Sequence, residues 1–302
     1  MKINFTLIVF VLFQLVSTNI EAQRLSGSIN DLEEFKKRPL VIVLNETAGK
    51  QFKKYYNVEQ DTAFNRVNRF MVKSISDYWK DEAEIIFIKP EEISKYTTNK
   101  KTPEKYAILQ LRELFNYNED HPTVTIYPTN YFILSLSEQP DKKIYLYKLH
   151  DIVVTPAEVA KSLMHIQHFL NKSVEEGKKF EYKDGLNSTE LKELTLLIDE
   201  KKVYRKLTRD EIEKNYGLRY EITSKERIDE VILNKTPGYA FIIIQGTSSN
   251  NDRANQYVMR AETGDIIASS ISSYVSRTMN ANFFIEKYNL KEYVKSIATI
   301  KK

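Results

Sequence analysis

The chain has 302 residues, with 45 lysines and arginines against 41 aspartates and glutamates, so its formal net charge at pH 7 is only +4. It contains no cysteine, four histidines and eight glycines. The lack of cysteine excludes thiol nucleophiles, disulfides and cysteine-ligated metals, and neither the Walker A spacing nor GxGxxG occurs in the sequence. The charge does not favour nucleic acid, which would need a clustered basic face, and no cofactor is expected.

The first 22 residues have the pattern of a secretory signal peptide. Lys2 precedes an apolar segment at 5–16, and a polar stretch then leads to the small residue Ala22. The apolar segment is shorter than the roughly 20 residues that cross a bilayer. We predict cleavage after Ala22 and an exported bacterial protein, periplasmic or extracellular, without a transmembrane segment after cleavage. An uncleaved membrane anchor is the alternative.

Residues 23–38 are polar, and we predict a flexible lead before the first folded module at 39–171. Continuous apolar runs predict strands that are covered on both faces, whereas apolar residues at spacings of three and four predict helices. The predicted elements are strands at 39–44, 84–88, 106–111, 124–137 and 144–149, and helices at 61–79, from Pro90 and from Pro156.

The second half repeats this order after a charged linker at 172–193, giving a second module at 194–302. Its predicted elements are strands at 194–198, 219–223, 239–245, 256–261 and 266–271, and helices beginning near Thr208, Ser224 and Asn282. The predicted fold is α/β, with two tandem, duplicated modules. Each is a mixed sheet of order β-α-β-α-β-β-β-α covered by helices.

An internal repeat supports the duplication. The segment 84–100 aligns without a gap on 219–235, and both are followed by a Thr-Pro pair and a strand that begins Tyr-Ala. If the halves are equivalent, Ile93 and Ile228 should be buried alike on equivalent helices. Ala107 and Ala240 should occupy the same place on equivalent strands.

His165 and His168 are the best candidates for metal ligands, because a pair at i and i+3 shares one helix face. At 100° per residue they lie opposite the apolar seam of their helix, so we expect them on the solvent side. No third ligand lies near them in sequence. Two plain surface histidines are therefore the favoured interpretation, and no catalytic residue is assigned.

The candidate residues for a binding surface are aromatic and polar. Tyr145 and Tyr147 alternate with apolar residues, so one face of that hairpin would carry two tyrosines, or bury them partly in the sheet. A long polar loop precedes the strand at 256–261, and loops of this kind often carry function. Its candidate residues are Asn250, Asn251, Asp252 and Arg253.

These observations favour a non-catalytic envelope or secreted protein that serves as a binding or assembly module for another macromolecule, such as a protein or envelope component. The first alternative is a periplasmic small-ligand-binding protein with a cleft between the two modules. The second is a hydrolase whose carboxylates are dispersed along the chain. The partner, the ligand and the oligomeric state are not defined by the sequence.

Overall fold

The computed structural model describes residues 23–25, 27–44, 60–79, 83–97, 105–114, 129–149, 154–180, 188–246, 254–271, 284–295 and 297. The predicted signal peptide at 1–22 and the candidate loop residues at 250–253 lie outside these ranges. None of the helices that the structure describes is both long and apolar enough to span a membrane.

The first half of the chain forms a mixed sheet of six described strands in the order β1-β6-β5-β4-β2-β3. Its strands are β1 (Gln23–Leu25), β2 (Leu40–Val43), β3 (Ile85–Ile88), β4 (Ala107–Leu114), β5 (Thr129–Leu136) and β6 (Tyr145–Lys148). Its helices are α1 (Ile29–Lys37), α2 (Gln60–Tyr78), α3 (Ile93–Tyr96) and α4 (Pro156–Glu176). The central pairs β2–β3 and β2–β4 are parallel, and the pairs from β4 to β6 are antiparallel.

The second half forms a five-stranded sheet in the order β11-β10-β9-β7-β8. Its strands are β7 (Thr195–Asp199), β8 (Tyr220–Thr223), β9 (Tyr239–Gly246), β10 (Ala254–Arg260) and β11 (Ile266–Ile271). Its helices are α5 (Arg209–Tyr216), α6 (Lys225–Leu233) and α7 (Lys287–Tyr293). The tandem α/β fold with two mixed sheets is therefore confirmed. The module boundaries at 39–171 and 194–302 stay predictions.

The two sheets agree in strand direction and in register. One position on the first central strand of each half pairs with the two residues that the repeat makes equivalent: Leu40 with Ile85 and Ala107, and Leu196 with Tyr220 and Ala240. The two β3/β8 residues are 135 positions apart, the same offset as in the gap-free sequence alignment. The repeat is thus a repeat of pairing geometry as well as of element order.

The helix after β3 and the helix after β8 are also equivalent, but their burial differs. Ile93 begins α3 and is partly buried, whereas Ile228 on α6 is only 9% exposed. Helix α6 packs against α4, while α3 covers the outer face of the first sheet with a small apolar cluster. The predicted pair therefore lies on equivalent helices, but the prediction of equal burial is wrong, because Ile93 is only partly buried.

Helix α4 forms a shared layer between the two sheets. Fourteen of its 21 residues are buried, and one apolar cluster joins it to both sheets and to α1, α2 and α6. Helices α5 and α7 cover the opposite face of the second sheet through a separate cluster. From one side to the other, the layers are α3, first sheet, helices α1, α2 and α4 with α6, second sheet, and helices α5 and α7.

The segment 23–38 differs from the flexible lead that its polarity predicts. Strand β1 pairs with β6, and α1 buries Leu32 and Phe35 on the first sheet. Ser28 and Asp31 form a capping box that fixes the start of α1. Helix α4 extends beyond residue 171: it continues to Glu176 and ends at Gly177 in the left-handed conformation.

Candidate functional site

The structure places Tyr145 and Tyr147 inside the protein, so the predicted tyrosine surface on this hairpin is wrong. Their side chains are 1% and 0% exposed, because the face of β6 that carries both is the face packed on α4. The Tyr145 ring stacks on Phe169 of α4 with centroids 4.5 Å apart. The Tyr147 ring lies 5.0 Å from the ring of His165.

Burial dominates the chemistry of these two phenols. It raises the pKa of Tyr145 well above its usual value, and the neighbouring Tyr147 and Tyr257 add to the rise. Burial also raises the pKa of Tyr147, and the charge of Glu158 adds to the rise. Both phenols therefore stay neutral, and neither is available to a partner in solution.

The two candidate histidines are also buried, which corrects their predicted place on the solvent side of α4. His165 is 0% exposed and His168 is 8% exposed. The second sheet covers the face of α4 that the sequence pattern leaves polar, and the His165 ring packs edge-on against Tyr257 of β10. At His168, Nδ1 accepts a 3.4 Å hydrogen bond from the backbone N–H of Ile266.

The arrangement around the histidines is one of packing and hydrogen bonding. His168 Nδ1 also lies 3.5 Å from a carboxylate oxygen of Asp265, at the turn between β10 and β11. Among the residues that the structure describes, no group of three or more His, Asp or Glu side chains is placed to hold a metal ion. The structure thus brings His165, Tyr145 and Tyr147 together, as part of the seam between the two halves.

An accessible site lies elsewhere, along the outer edge of the second sheet. Strand β8 is paired with β7 on one side, and no described strand is paired with its other side. Beside this edge is an open groove of about 860 Å³. Its lining residues are Lys192, Arg209, Glu213, Gly217, Leu218, Arg219, Tyr220, Glu221 and Ile222. We call this set the β8 groove.

The backbone of β8 presents hydrogen-bonding groups to the groove. The N–H of Leu196 on β7 donates to the carbonyl of Arg219, at 3.0 Å. Because alternate residues of a parallel strand bond to the same neighbour, Tyr220 and Ile222 direct their N–H and C=O groups away from β7. These are the groups to which an added strand would bond.

Helix α5 forms the other wall of the groove. Thr208 and Glu211 form a capping box at its start, and Gly217 ends it with φ +66. Arg209, Glu213 and Gly217 follow one another at intervals of four, so they lie along one side of the helix. The glycine leaves the end of this wall without a side chain, next to the first residues of β8.

The charged side chains of the β8 groove form no ion pair with any residue that the structure describes. Lys192, Arg209, Glu213 and Glu221 have no ion-pair partner in the part of the chain that the structure describes, and Arg219 donates to the backbone carbonyl of Lys192 at 3.3 Å. Elsewhere on the second half, exposed charges are often paired, as Arg227 is with Glu230. The groove is therefore able to offer both signs of charge to a partner.

Sequence reasoning missed this groove, although the pattern of β8 contains a signal for it. Charged Arg219 and Glu221 alternate with Tyr220 and Ile222, which is typical of a strand at a sheet edge rather than at its centre. The signal is short, and it identifies an edge strand only when the strand order is known.

No protein-family model matches the chain, and comparisons with curated proteins and with solved structures found no similar protein.

Proposed function

We propose that this chain is an exported, non-catalytic binding or assembly module that recognises another polypeptide as a strand added to the β8 edge. The observation that carries the proposal is the open edge itself, with the outward backbone groups of Tyr220 and Ile222 beside a groove of about 860 Å³. Backbone hydrogen bonds of an added strand would supply affinity, and the groove side chains would supply selectivity.

The space between the two sheets does not favour the cleft-binding alternative. Helix α4 and the apolar cluster around it fill the layer where such a cleft would lie. The groove also differs from the usual site of a small molecule, which is a concave and mainly apolar pocket. A polypeptide strand fits an open, charged groove beside a sheet edge better than a small molecule does.

The groove carboxylates do not favour hydrolysis. A general acid needs a carboxyl group whose surroundings raise its pKa towards neutrality, which usually means burial. Glu213 is exposed to solvent and Glu221 is only partly buried. We therefore assign both side chains to partner recognition.

A peptide selection tests the proposal. The purified chain, held dilute on a solid support, is used to select binders from a displayed library of random peptides. Two variants are then compared on the selected peptides: Ile222→Pro, which removes an outward N–H, and Ile222→Ala, which loses the same side-chain packing but keeps the N–H. We expect the proline variant to bind about tenfold more weakly or worse, and the alanine variant to bind nearly as the natural chain does.

Two results would refute the edge as the binding site: no enriched peptide, or equal binding by both variants when thermal unfolding shows that both are folded. Hydrogen exchange gives a second measurement. A bound strand should slow exchange of the Tyr220 and Ile222 amides, whereas the Glu221 amide, which faces β7, should change little.

Export requires its own test, because it depends on the sequence of residues 1–22. We expect the mature protein from its native host to begin at Gln23, as determined by intact mass and N-terminal sequencing. A mature chain that still begins at Met1 would contradict the proposed signal peptide without affecting the binding edge.

A further inference from the structure

The five residues from Leu218 to Ile222, the last three of which begin β8, are complementary to the same segment run in reverse. From Leu218 to Ile222 the order is aliphatic, basic, aromatic, acidic and aliphatic. An antiparallel copy of this segment, centred on Tyr220, places each residue opposite a residue of matching chemistry. A second copy of this segment, running in the opposite direction, is therefore chemically complementary to the first.

In this register the central pair is Tyr220 opposite its own copy. Arg219 of each chain then lies opposite Glu221 of the other, so the twofold axis creates two opposite-charge pairs. Tyr220 has its backbone groups directed outward, so the central pair exchanges two hydrogen bonds. Leu218 and Ile222 form the apolar pairs at the two ends.

The groove accommodates the second strand at the point where its end arrives. Ile222 of the copy lies opposite Leu218, beside Gly217, whose missing side chain leaves the end of the α5 wall open. Glu221 of the copy reaches Arg219, whose guanidinium already lies against the carbonyl of Lys192. Neither Arg219 nor Lys192 forms an ion pair within the described structure. Glu221 of the copy therefore supplies Arg219 with a carboxylate partner.

The neighbouring antiparallel register is disfavoured by charge. A pairing centred on Glu221 would place that carboxylate opposite its own copy, and like charges directly opposite each other destabilise a sheet. It would also leave Arg219 opposite Thr223. The charges therefore favour the Tyr220-centred register over the register shifted by one residue.

We propose that the polypeptide bound at the β8 edge is a second copy of this chain, paired antiparallel through Leu218–Ile222 to form one continuous sheet across a twofold axis. This inference rests on the proposed strand-binding function of the same edge and names its partner. The resulting dimer is isologous, so it closes on itself and leaves no free β8 edge.

Charge reversal tests the register directly. Glu221→Arg places two arginines opposite two arginines, and Arg219→Glu places two glutamates opposite two glutamates. The double variant Arg219→Glu/Glu221→Arg restores both opposite-charge pairs in the reversed sense. By sedimentation equilibrium we expect the natural chain to dimerise, each single variant to dimerise about tenfold more weakly or worse, and the double variant to recover to within about threefold.

Mixing the two single variants provides a matched control. One brings only arginine and the other only glutamate to positions 219 and 221, so their heterodimer regains two opposite-charge pairs. We expect dimers to form in the mixture although each variant alone is mainly monomeric. A monomeric natural chain, a dimer that is insensitive to these charges, or a double variant that fails to recover would each overturn the inference.

The outcomes also separate this inference from the proposed function. If the natural chain is monomeric but selected peptides lose affinity on Ile222→Pro, the edge binds strands of other proteins and the self-pairing is wrong. If neither peptide binding nor dimerisation responds to Ile222→Pro in folded protein, the strand-binding function itself is wrong.

Discussion

Helices α4 and α7 close equivalent halves of the chain, but only α4 is enclosed. Fourteen of the 21 residues of α4 are buried, including polar side chains, whereas α7 buries three of its seven residues on a single face. Each helix follows the last strand of its sheet and covers the same face of it. The second half covers the other side of α4, and nothing in the described structure covers the other side of α7.

This difference shows that the halves are stacked in the same orientation. The α6 side of the second half rests on the α4 side of the first, so each half presents a different face to the contact. Such a contact could be repeated indefinitely, as in repeat proteins. It stops at α7, whose outer face carries Lys287 and Lys291, with Lys295 just beyond the end of the helix. The charged face therefore acts as the polar cap of a two-unit stack.

The largest expected difference is between a lysine placed on the outer side of α4 and a lysine placed on the outer side of α7. Met164→Lys puts an ammonium group on the 4% exposed side chain of α4 that faces the second half, and should lower the free energy of unfolding by about 3–5 kcal/mol. Tyr288→Lys makes the same change on α7, where the side chain is 46% exposed, and should change it by about 0.5 kcal/mol or less. Urea denaturation measures both, and equal losses would contradict the difference in enclosure.

A smaller effect is expected where the β10–β11 turn rests on α4. Gly264 has φ +81, and a Cβ added there would lie 2.6 Å from Cβ of Met164. Gly264→Ala should therefore cost about 2–4 kcal/mol through backbone strain and overlap. Gly177→Ala is the control, since its φ is +63 with open space around it, and should cost only about 1 kcal/mol. If chemical denaturation gives similar losses for both, the close approach of the turn to α4 is not as described.

At the end of α2, one polar contact joins the two halves, and we expect its contribution to the free energy of unfolding to be moderate. The hydroxyl of Tyr78 donates towards the carbonyls of Ile232 and Leu233 on α6, both at 3.1 Å, and burial raises the pKa of Tyr78 to about 12. Lys235 lies over the same ring, 4.5 Å from its centroid. Tyr78→Phe should cost about 1 kcal/mol in thermal or urea unfolding, whereas Tyr288→Phe should be neutral. If Tyr78→Phe leaves the free energy of unfolding unchanged, this hydrogen bond does not stabilise the contact between the two halves.

The smallest expected effect concerns the pH dependence of stability. It arises from an ion pair in the first half whose equivalent position in the second half is apolar. Arg38 bonds Glu138 at 2.6 Å, whereas the equivalent position in the second half is the buried Leu194. Burial by itself would raise the pKa of Glu138, but the hydrogen bond and charge of Arg38, together with hydrogen bonds from the Glu138 backbone and Ser137, lower it overall. The stabilisation is therefore complete above the usual glutamate pKa of about 4.3 and is lost as pH falls below it.

Glu138→Gln should reduce the decline in melting temperature between about pH 5 and pH 3, because it removes a carboxylate that titrates with folding. Glu262→Gln is the matched control, as Glu262 is the exposed residue at the equivalent place after β10. A decline of unchanged size in the Glu138 variant would show that other carboxylates govern acid unfolding.

The fold was predictable because each half repeats strong local signals. The apolar strand at 39–44, the capping box at Thr208 and the Thr-Pro-to-Tyr-Ala blocks each act over a few residues, and all agree with the structure where it describes them. The lead at 23–38 failed for a tertiary reason. The two residues that α1 buries, Leu32 and Phe35, suffice for a helix only because they pack on the first sheet.

The site residues were harder to predict, because burial of α4 depends on a sheet encoded about 100 residues later. A helix seen alone has one apolar seam, so His165 and His168 fall on its polar side. The second sheet supplies Tyr257 and the Ile266 amide to that side, and the same residues become internal. The β8 edge was missed for a similar reason, since an edge is a property of the strand order.

The enclosure of α4 has a consequence for the order in which the chain is made. Synthesis proceeds from the amino terminus, so α4 leaves the ribosome before any strand of the second sheet exists. Until the hairpin ending at Ile271 has followed, Met164, His165 and His168 have no cover on their outer side. The first half therefore passes through a stage in which a completed sheet bears an unprotected helix, and a chain that stops before β9 presents this surface to chaperones and proteases.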